Sequence, residues 1–464
     1  YLNFIHKKMK TSHTLRLRYF FCNFEILKMR RLPFKSVDIP LTTSRFKKLN
    51  LETFKLPSEI LERCMTPALI LYKDSILRNV RTIIEKHCDS DPKKWRPHLK
   101  TTKSSALYNM LIQEGLTQFK VATTREAEII AKSLRDSGIS DGDVLIAYPL
   151  QGPNMRRLES IVSEFPEIDF SVLVESESCV HSISSSARLS CFVDINVGQN
   201  RTVSYSCHRD LCIIMINTQS LTQGIPLETA EKGAVVDVVN AIRDTGKKFR
   251  GLHLYDGHSQ SFHDGEERDT KVSDVGEAGT RLMNILNQAG HSVEEIITAG
   301  TPSLTSALKF IESVHDDEDN VKRVVSPGTV VLHDLTSESS NAELDLEPAC
   351  VVLARVVSHP CENIFTVDAG SKAMAAEAGH PMAYVFYTIF PTNDNNTQNV
   401  VITPLSQVLC RESRYASAHT VRGTPSDSGS TGNVITRAWH SDVFDSSTCM
   451  SDRKFVGACF AHGQ

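Results

Sequence analysis

Arg96-Pro97-His98-Leu99-Lys100-Thr101-Thr102-Lys103 is the stretch on which the fold of this chain turns. A β-run ends here, an amphipathic helical segment starts just beyond it, and a lysine stands at the junction. An α/β barrel places its reactive groups at such junctions, the carboxyl ends of its strands. A lysine with no nearby carboxylate and a second cation three residues on suits Schiff-base chemistry, which uses the neutral amine. Taken alone, such an octapeptide is more often an ordinary strand end. Its surroundings decide the matter.

Upstream, Ala68-Leu69-Ile70-Leu71-Tyr72 has the pattern of a strand. Asp74 can cap a helix carrying Ile76, Val80, Ile83 and Ile84 at helical spacing. Downstream, apolar β-runs alternate with helical segments. Counting the octapeptide's own run, they cover residues 96–100, 119–122, 144–148, 170–174, 189–195, 249–255, 295–299 and 324–327. Continuous apolar runs, each followed by an amphipathic helix, indicate parallel strands buried on both faces. Eight of them predict an α/β fold, a (β/α)8 TIM-like barrel, which the 68–72 strand precedes or joins. Beyond residue 335 the alternation stops. Short β-rich stretches at 350–358 and 364–367, with turn-rich segments at 392–399 and 423–432, predict a C-terminal antiparallel β domain. The expected division is a basic leader over 1–55, a barrel over 60–335 and a β domain over 336–464.

Composition excludes several classes of partner. A net charge of −4 gives no electrostatic reason to expect nucleic acid or an anionic membrane. No apolar run reaches the roughly 18 residues that span a bilayer. The twelve cysteines are scattered without a C-x-x-C pair, which argues for reduced thiols and a cytoplasmic setting. The first fifty residues carry twelve Lys/Arg against only Glu25 and Asp38. That is the composition of a transit peptide, so a mitochondrial location stands beside the cytoplasmic one.

In a barrel, the residues just past each run converge on one mouth. They include Lys100, Thr123-Thr124, the segment from Asp194 to Arg201, Tyr255-Asp256-Gly257-His258, Gly300-Thr301-Pro302-Ser303 and Pro327-Gly328-Thr329. Two of these are glycine turns followed by hydroxyl residues, whose backbone N–H groups can cradle a phosphate. Gly-Thr-Pro is also a plain helix start. A phosphate cup, an amine, an arginine, a tyrosine and a histidine at one mouth suit an aldehyde cofactor anchored by phosphate, which is pyridoxal phosphate.

With these motifs quoted, the chain resembles the D-threonine aldolase / D-serine dehydratase family, the fold-type III pyridoxal-phosphate enzymes related to alanine racemase. The resemblance runs from about Thr66 to His380. It includes Thr66-Pro67-Ala68-Leu69, the octapeptide, Val121-Ala122-Thr123, Ala147-Tyr148-Pro149 and Val367-Asp368-Ala369-Gly370-Ser371-Lys372. It implies that Lys100 is the Schiff-base lysine and the base at the substrate α-carbon. Arg201 then lies near the cofactor's phenolic oxygen, and Thr301, Gly328 and Thr329 bind its phosphate. Tyr255 and His258 line the substrate side of the ring; His258 is equally readable as a satisfied histidine at a strand end. The implied activity is lyase chemistry on a D-3-hydroxy amino acid, by retro-aldol cleavage to an aldehyde and glycine or by loss of the α-proton and hydroxide to give a 2-oxo acid and ammonia. The implied assembly is a homodimer, and the implied assistant is a divalent zinc or manganese ion at the substrate's β-hydroxyl. Racemase chemistry and a cofactor-binding homologue without turnover remain as alternatives.

Three departures from the family pattern stand out. Thr102 replaces the usual histidine two residues after the lysine, and a hydroxyl is no base at neutral pH. In the metal region Cys410 is the candidate sulfur ligand, but Val408 occupies the place of its histidine partner. His419 and His440 have no ligand-like spacing. Finally, the 21 residues 203–223 form an insertion: without them Asn200-Arg201-Thr202 runs directly into Gly224-Ile225-Pro226. Its terminal Val and Gln are encodable by the GT and AG that bound an intron, so the segment is expected to be translated intron. The alternative is a genuine loop at the barrel mouth.

Overall fold

The computed structural model describes residues 54–198, 224–261, 265–314, 320–361, 364–370 and 373, and beyond these the strand backbones 383–389, 399–404, 417–422, 439–440 and 455–458. Residues 1–53 of the expected 1–55 leader, the insertion with Arg201, and Cys410 lie outside the described residues.

Seven parallel strands form one continuous path. They are β2 (Gln118–Val121), β3 (Asp143–Ile146), β4 (Asp169–Val174), β5 (Leu189–Asn196), β7 (Phe249–Leu254), β8 (Glu295–Thr298) and β9 (Lys322–Val325). A two-residue β6 (Ile225–Pro226) pairs with the end of β5. The octapeptide closes the circle. Trp95 bridges Val325 of β9 and His98 bridges Lys120 of β2, both in parallel sense. Arg96 N–H donates to the Val325 carbonyl at 2.9 Å, Leu99 N–H to Lys120 at 2.8 Å, and Lys120 N–H to Pro97 at 3.0 Å. Residues 95–99 are therefore the eighth barrel strand, and the eight apolar runs are the eight staves.

Strand periodicity sorts the side chains into two cores. The larger packs between staves and helices, with Trp95, Leu99, Phe119, Val121, Val144 and Ile146 on its strand side. A smaller cluster of Leu145, Leu173, Phe192, Ile297 and Val324 fills the barrel interior. On the first stave the same alternation turns Arg96, His98 and Lys100 inward at three successive heights.

The lowest of these heights is ionic. Arg96, fully buried, donates to Asp143 at 2.7 Å and to Glu295 at 3.0 Å; Arg250 donates to the same two carboxylates at 2.7 and 3.2 Å. These residues come from the amino ends of four staves, so the barrel bottom is plugged by a charge-balanced ring. Burial alone would push the Asp143 carboxyl up. The Arg96 charge and the Arg250 hydrogen bond outweigh it and hold Asp143 well below the usual carboxylate range.

The strand β1 (Ala68–Tyr72) does not join the barrel. It pairs antiparallel with β10 (Cys350–Cys361), in the register Ala68↔Leu353 to Leu71↔Cys350, and on its other edge with β16 (Phe455–Ala458). The physical reason is closure: residues 95–99 pair on both sides, which leaves no free barrel edge for a further strand. β1 instead enters the second, antiparallel sheet, which also contains β11 (Ile364–Val367), β12 (Ala383–Ile389), β13 (Asn399–Pro404), β14 (Ser417–Arg422) and β15 (Trp439–His440). Asp368 helps to tie this sheet to the segment before β1, accepting from Arg355 N–H at 2.8 Å and from the Thr66 hydroxyl at 2.5 Å. No helix among the described residues is long and apolar enough to cross a membrane.

Candidate active site

At the carboxyl ends of the staves, the octapeptide delivers Lys100, half-buried, two residues beyond His98. The chain then bends through 99–102, where the Thr102 hydroxyl donates back to the Leu99 carbonyl at 3.2 Å. That hydroxyl serves the bend, as expected of a group that is no base. Lys103, the second cation, lies 3.9 Å from Glu126. Glu126 also accepts from Ala122 N–H at 2.7 Å, while Thr123 Oγ accepts from Glu126 N–H at 3.1 Å. This reciprocal cap starts the helix Thr124–Asp136 at the rim of the mouth.

Across the mouth the two glycine turns meet. Thr301 Oγ1 accepts from Thr329 N–H at 3.1 Å, lacing the turn after β8 to the turn after β9. Thr301 and Thr329 are both buried. The β9 turn also presses on the lysine's own stave: a Cβ on Gly328 would stand 2.3 Å from the His98 carbonyl oxygen. Only glycine permits that approach. Behind the first turn, Asp256 accepts from Ser303 Oγ at 2.8 Å and from Gly300 N–H at 3.3 Å. Its second oxygen is buried without a hydrogen-bond partner, and burial, the dominant influence, raises the carboxyl from its ordinary range. The Thr101 hydroxyl, next to Lys100, is likewise buried and unpartnered.

Tyr255 forms a wall of the pocket. Lys100 Nζ lies 5.5 Å from its ring centroid, within cation–π range. A Cβ on Gly300 would come within 3.2 Å of the same ring, so the tyrosine also backs the phosphate-type turn. His258, on the 3-10 turn Gly257–Ser261, faces the end of β5, its Nε2 3.7 Å from the Cβ position of Gly198. The described chain resumes at Gly224, whose Cβ position lies 2.8 Å from the Asn196 nitrogen. The residues flanking the insertion thus return to one stave end.

Of the candidates named from sequence, Lys100, Tyr255, His258, Thr301, Gly328 and Thr329 gather at this mouth. Arg201 and Cys410 fall outside the described residues. Among the described residues no group of three or more His, Cys, Asp and Glu side chains is placed to hold a metal. The residues present fit pyridoxal phosphate. The Lys100 amine lies against the Tyr255 ring that also packs on Gly300, the two glycine turns are interlaced through a hydroxyl, and the Thr101 hydroxyl is buried without a partner.

Sequence inspection missed a second polar layer below the mouth and placed Asp194, which lies within β5, at the mouth itself. His98, Lys120, Asp194 and His253 are all buried inside the barrel. Burial, followed by the Lys120 and Lys100 charges, holds His98 well below the usual imidazole range. The available signal was a charged or imidazole side chain two residues before a mouth residue on the same inward face: His98 before Lys100, Lys120 before Ala122, and His253 before Tyr255.

Comparison with known proteins gives a consistent picture. Residues 349–416 match a family model described as "Putative serine dehydratase domain". A D-threonine aldolase from Arthrobacter sp is 23% identical over 337 residues, 71% of this chain and 77% of that protein. Among solved structures, D-threonine aldolase from Filomicrobium marinum superimposes with a TM-score of 0.57 at 21% identity, covering 81% of this chain and 94% of that one. D-threo-3-hydroxyaspartate dehydratase from Delftia sp. HT23 gives 0.56 at 18% identity, with 81% and 99% covered. An alanine-racemase-like protein from Idiomarina loihiensis gives 0.56 at 15%, with 79% and 98% covered. The structural likenesses establish the barrel-plus-sheet fold. Family model, aldolase relative and structural neighbours agree in direction: the chain is similar to members of the D-threonine aldolase / D-serine dehydratase family.

Proposed function

We propose that this chain is a pyridoxal-phosphate-dependent lyase acting on D-3-hydroxy amino acids. The observation that carries the reading is the placement of one half-buried lysine, Lys100, on a stave whose backbone touches the Gly328 turn. An amine and a phosphate cup on adjoining staves suit a ligand that carries an aldehyde at one end and a phosphate at the other. When bound, such a cofactor supplies an electron sink for cleavage at the substrate's α-carbon.

The chain's own residues supply the rest. The Lys100 amine would hold the aldehyde end of the cofactor and, when free, would accept or return a proton at the substrate's α-carbon. The Gly300–Thr301 and Gly328–Thr329 turns would hold the phosphate through the threonine hydroxyls and the N–H groups of Thr301 and Gly328, since Gly300 N–H is given to Asp256 and Thr329 N–H to Thr301. Tyr255 excludes water from one side of the pocket, and His258 stands near the β5 end, where the substrate's polar groups enter. Arg201, which follows that strand end in sequence, is assigned to the phenolic oxygen and substrate carboxylate on resemblance alone. Support for the substrate class comes from the named activities of the aldolase and dehydratase relatives.

The test is cofactor binding followed by turnover. The purified chain mixed with pyridoxal phosphate is expected to develop the visible absorption band of a lysine-bound cofactor, and Lys100→Ala is expected to lose it while keeping its far-ultraviolet dichroism. An unchanged band in Lys100→Ala overturns the proposal. D-Threonine and D-serine assays, with and without zinc or manganese, then separate aldolase from dehydratase activity and show whether a metal assists. Bound cofactor with no turnover on any D-3-hydroxy amino acid would favour a cofactor-binding homologue.

A further inference from the structure

The middle of the barrel departs furthest from an ordinary parallel barrel, whose interior layers are filled with Val, Ile and Leu. One side obeys that rule with Leu145, Leu173, Phe192, Ile297 and Val324. The other side holds His98, Lys120, Asp194 and His253, with Lys120 only 1% exposed. Burying such groups costs free energy unless each is paired. Here the pairing forms a chain. Lys120 Nζ lies 3.4 Å from His253 Nε2, and His253 Nδ1 lies 2.6 Å from Asp194 Oδ1. An ammonium can only donate, so Nε2 accepts from Lys120 and Nδ1–H donates to Asp194. Asp194 and His253 are register partners on β5 and β7, so the backbone itself sets their approach.

From this anchor the Lys120 amine reaches upward. It lies 5.1 Å from the centroid of the Tyr255 ring, while Lys100 Nζ lies 5.5 Å from the same centroid. The His253 and Tyr255 rings are near-parallel, 11° apart with centroids separated by 6.4 Å. One aromatic ring therefore faces both amines and the imidazole that holds one of them.

We propose that Lys120, held by His253 and Asp194, is a positioning residue for Lys100: a fixed charge at the Tyr255 ring that sets where the ring, and the reactive amine beside it, stand relative to the phosphate cup. This rests on the assignment of Lys100 as the cofactor-binding lysine. Placement matters because a misplacement of about 1 Å in such a site costs on the order of 100-fold in rate. The groups facing this chain are His98 and Lys100 on the first stave, Lys120 on β2, Asp194 on β5, and His253 and Tyr255 on β7 and its end.

Side-chain chemistry supplies a discriminating pair of variants. Glutamine at 253 can still donate to Asp194 and accept from Lys120, whereas leucine can do neither. In the full-length protein, Lys120→Met and His253→Leu are expected to weaken pyridoxal phosphate binding on the order of tenfold, as loss of one charge-assisted hydrogen bond would. Both are expected to alter the visible dichroism of the bound cofactor, and His253→Gln to retain both properties. In the cofactor-free protein, nitrogen-15 resonances of His253 should report the Nδ1–H tautomer and shift in Lys120→Met. Wild-type binding and dichroism in Lys120→Met overturn the proposal, and so does a His253→Gln variant as impaired as His253→Leu. Where His253→Leu does not fold, His253→Gln, Lys120→Met and the nitrogen resonances decide. A band that survives in Lys100→Ala defeats the functional assignment itself, an outcome distinct from any result at Lys120.

Discussion

Gly328→Ala is a small substitution with a calculable consequence. The Cβ it adds would stand 2.3 Å from the His98 carbonyl oxygen. A carbon and a carbonyl oxygen approach no closer than about 3.3 Å in ordinary weak contacts, so the two segments must part by about 1 Å. The backbone at Gly328 has φ −118°, which alanine adopts freely, so the effect is purely steric. The opposing atom belongs to the backbone of the stave that carries Lys100, and it cannot swing aside as a side chain could. Overpacking of this kind costs about 1–3 kcal/mol of stability. The displacement acts directly on the separation between the Gly328 turn and the stave that carries Lys100. Pyridoxal phosphate affinity should fall between about 10- and 100-fold, because that geometry must be met at both ends of one rigid ligand. Equilibrium binding followed by the visible band, with thermal unfolding in parallel, measures both effects. Gly265→Ala, where an added Cβ meets nothing within 4 Å, is the control. Wild-type affinity and stability in Gly328→Ala would refute the close approach and the cup built on it.

Two further predictions concern groups that the barrel buries. Asp256 has its folded-state proton affinity raised by burial, so its contribution to stability is greatest at low pH and is lost as pH climbs from about 3.9 through its raised folded value. Asp256→Asn keeps an acceptor for Ser303 and Gly300 and should flatten that part of the stability–pH curve; an unaltered curve would count against a carboxyl whose proton affinity is raised by burial. At the other end of the barrel, Arg96→Met removes one of two cations shared by Asp143 and Glu295 and should cost about 3–5 kcal/mol, measured by denaturant unfolding. Asp143 is shifted the opposite way, so its stabilising contribution is present above about pH 3.9 and lost as pH falls further. That acid-side loss should shrink in the variant, which removes the Arg96 part of the shift.

Much of the barrel is legible in the chain because its staves are buried on both faces. Phe119-Lys120-Val121 or Val144-Leu145-Ile146 carry the outward apolar residues that any such strand must have, and the glycine turns after β8 and β9 announce the mouth. What the runs do not contain is partner identity. β1 has a strand's composition, yet its neighbours in the sheet are Cys350–Leu353 and Phe455–Ala458, hundreds of residues away. Nothing local distinguishes that pairing from a place at the barrel edge.

The inward positions pose the same problem in sharper form. A stave contributes at most one residue to a layer, so a cluster such as Arg96, Asp143, Arg250 and Glu295 is assembled from isolated letters on four strands. Lys120 alone looks like an intrusion in an apolar run, and His253 like a strand histidine. By itself the sequence determined the eight staves, the lysine at the end of the first, and the two glycine turns at the mouth, because strand period and turn chemistry are local. Only the tertiary structure decided that β1 leaves the barrel, that the octapeptide closes it, and that Asp194, His253 and Lys120 join beneath Tyr255. Those outcomes depend on which strands become neighbours and at what register, and hydrogen-bond closure of the whole sheet selects them.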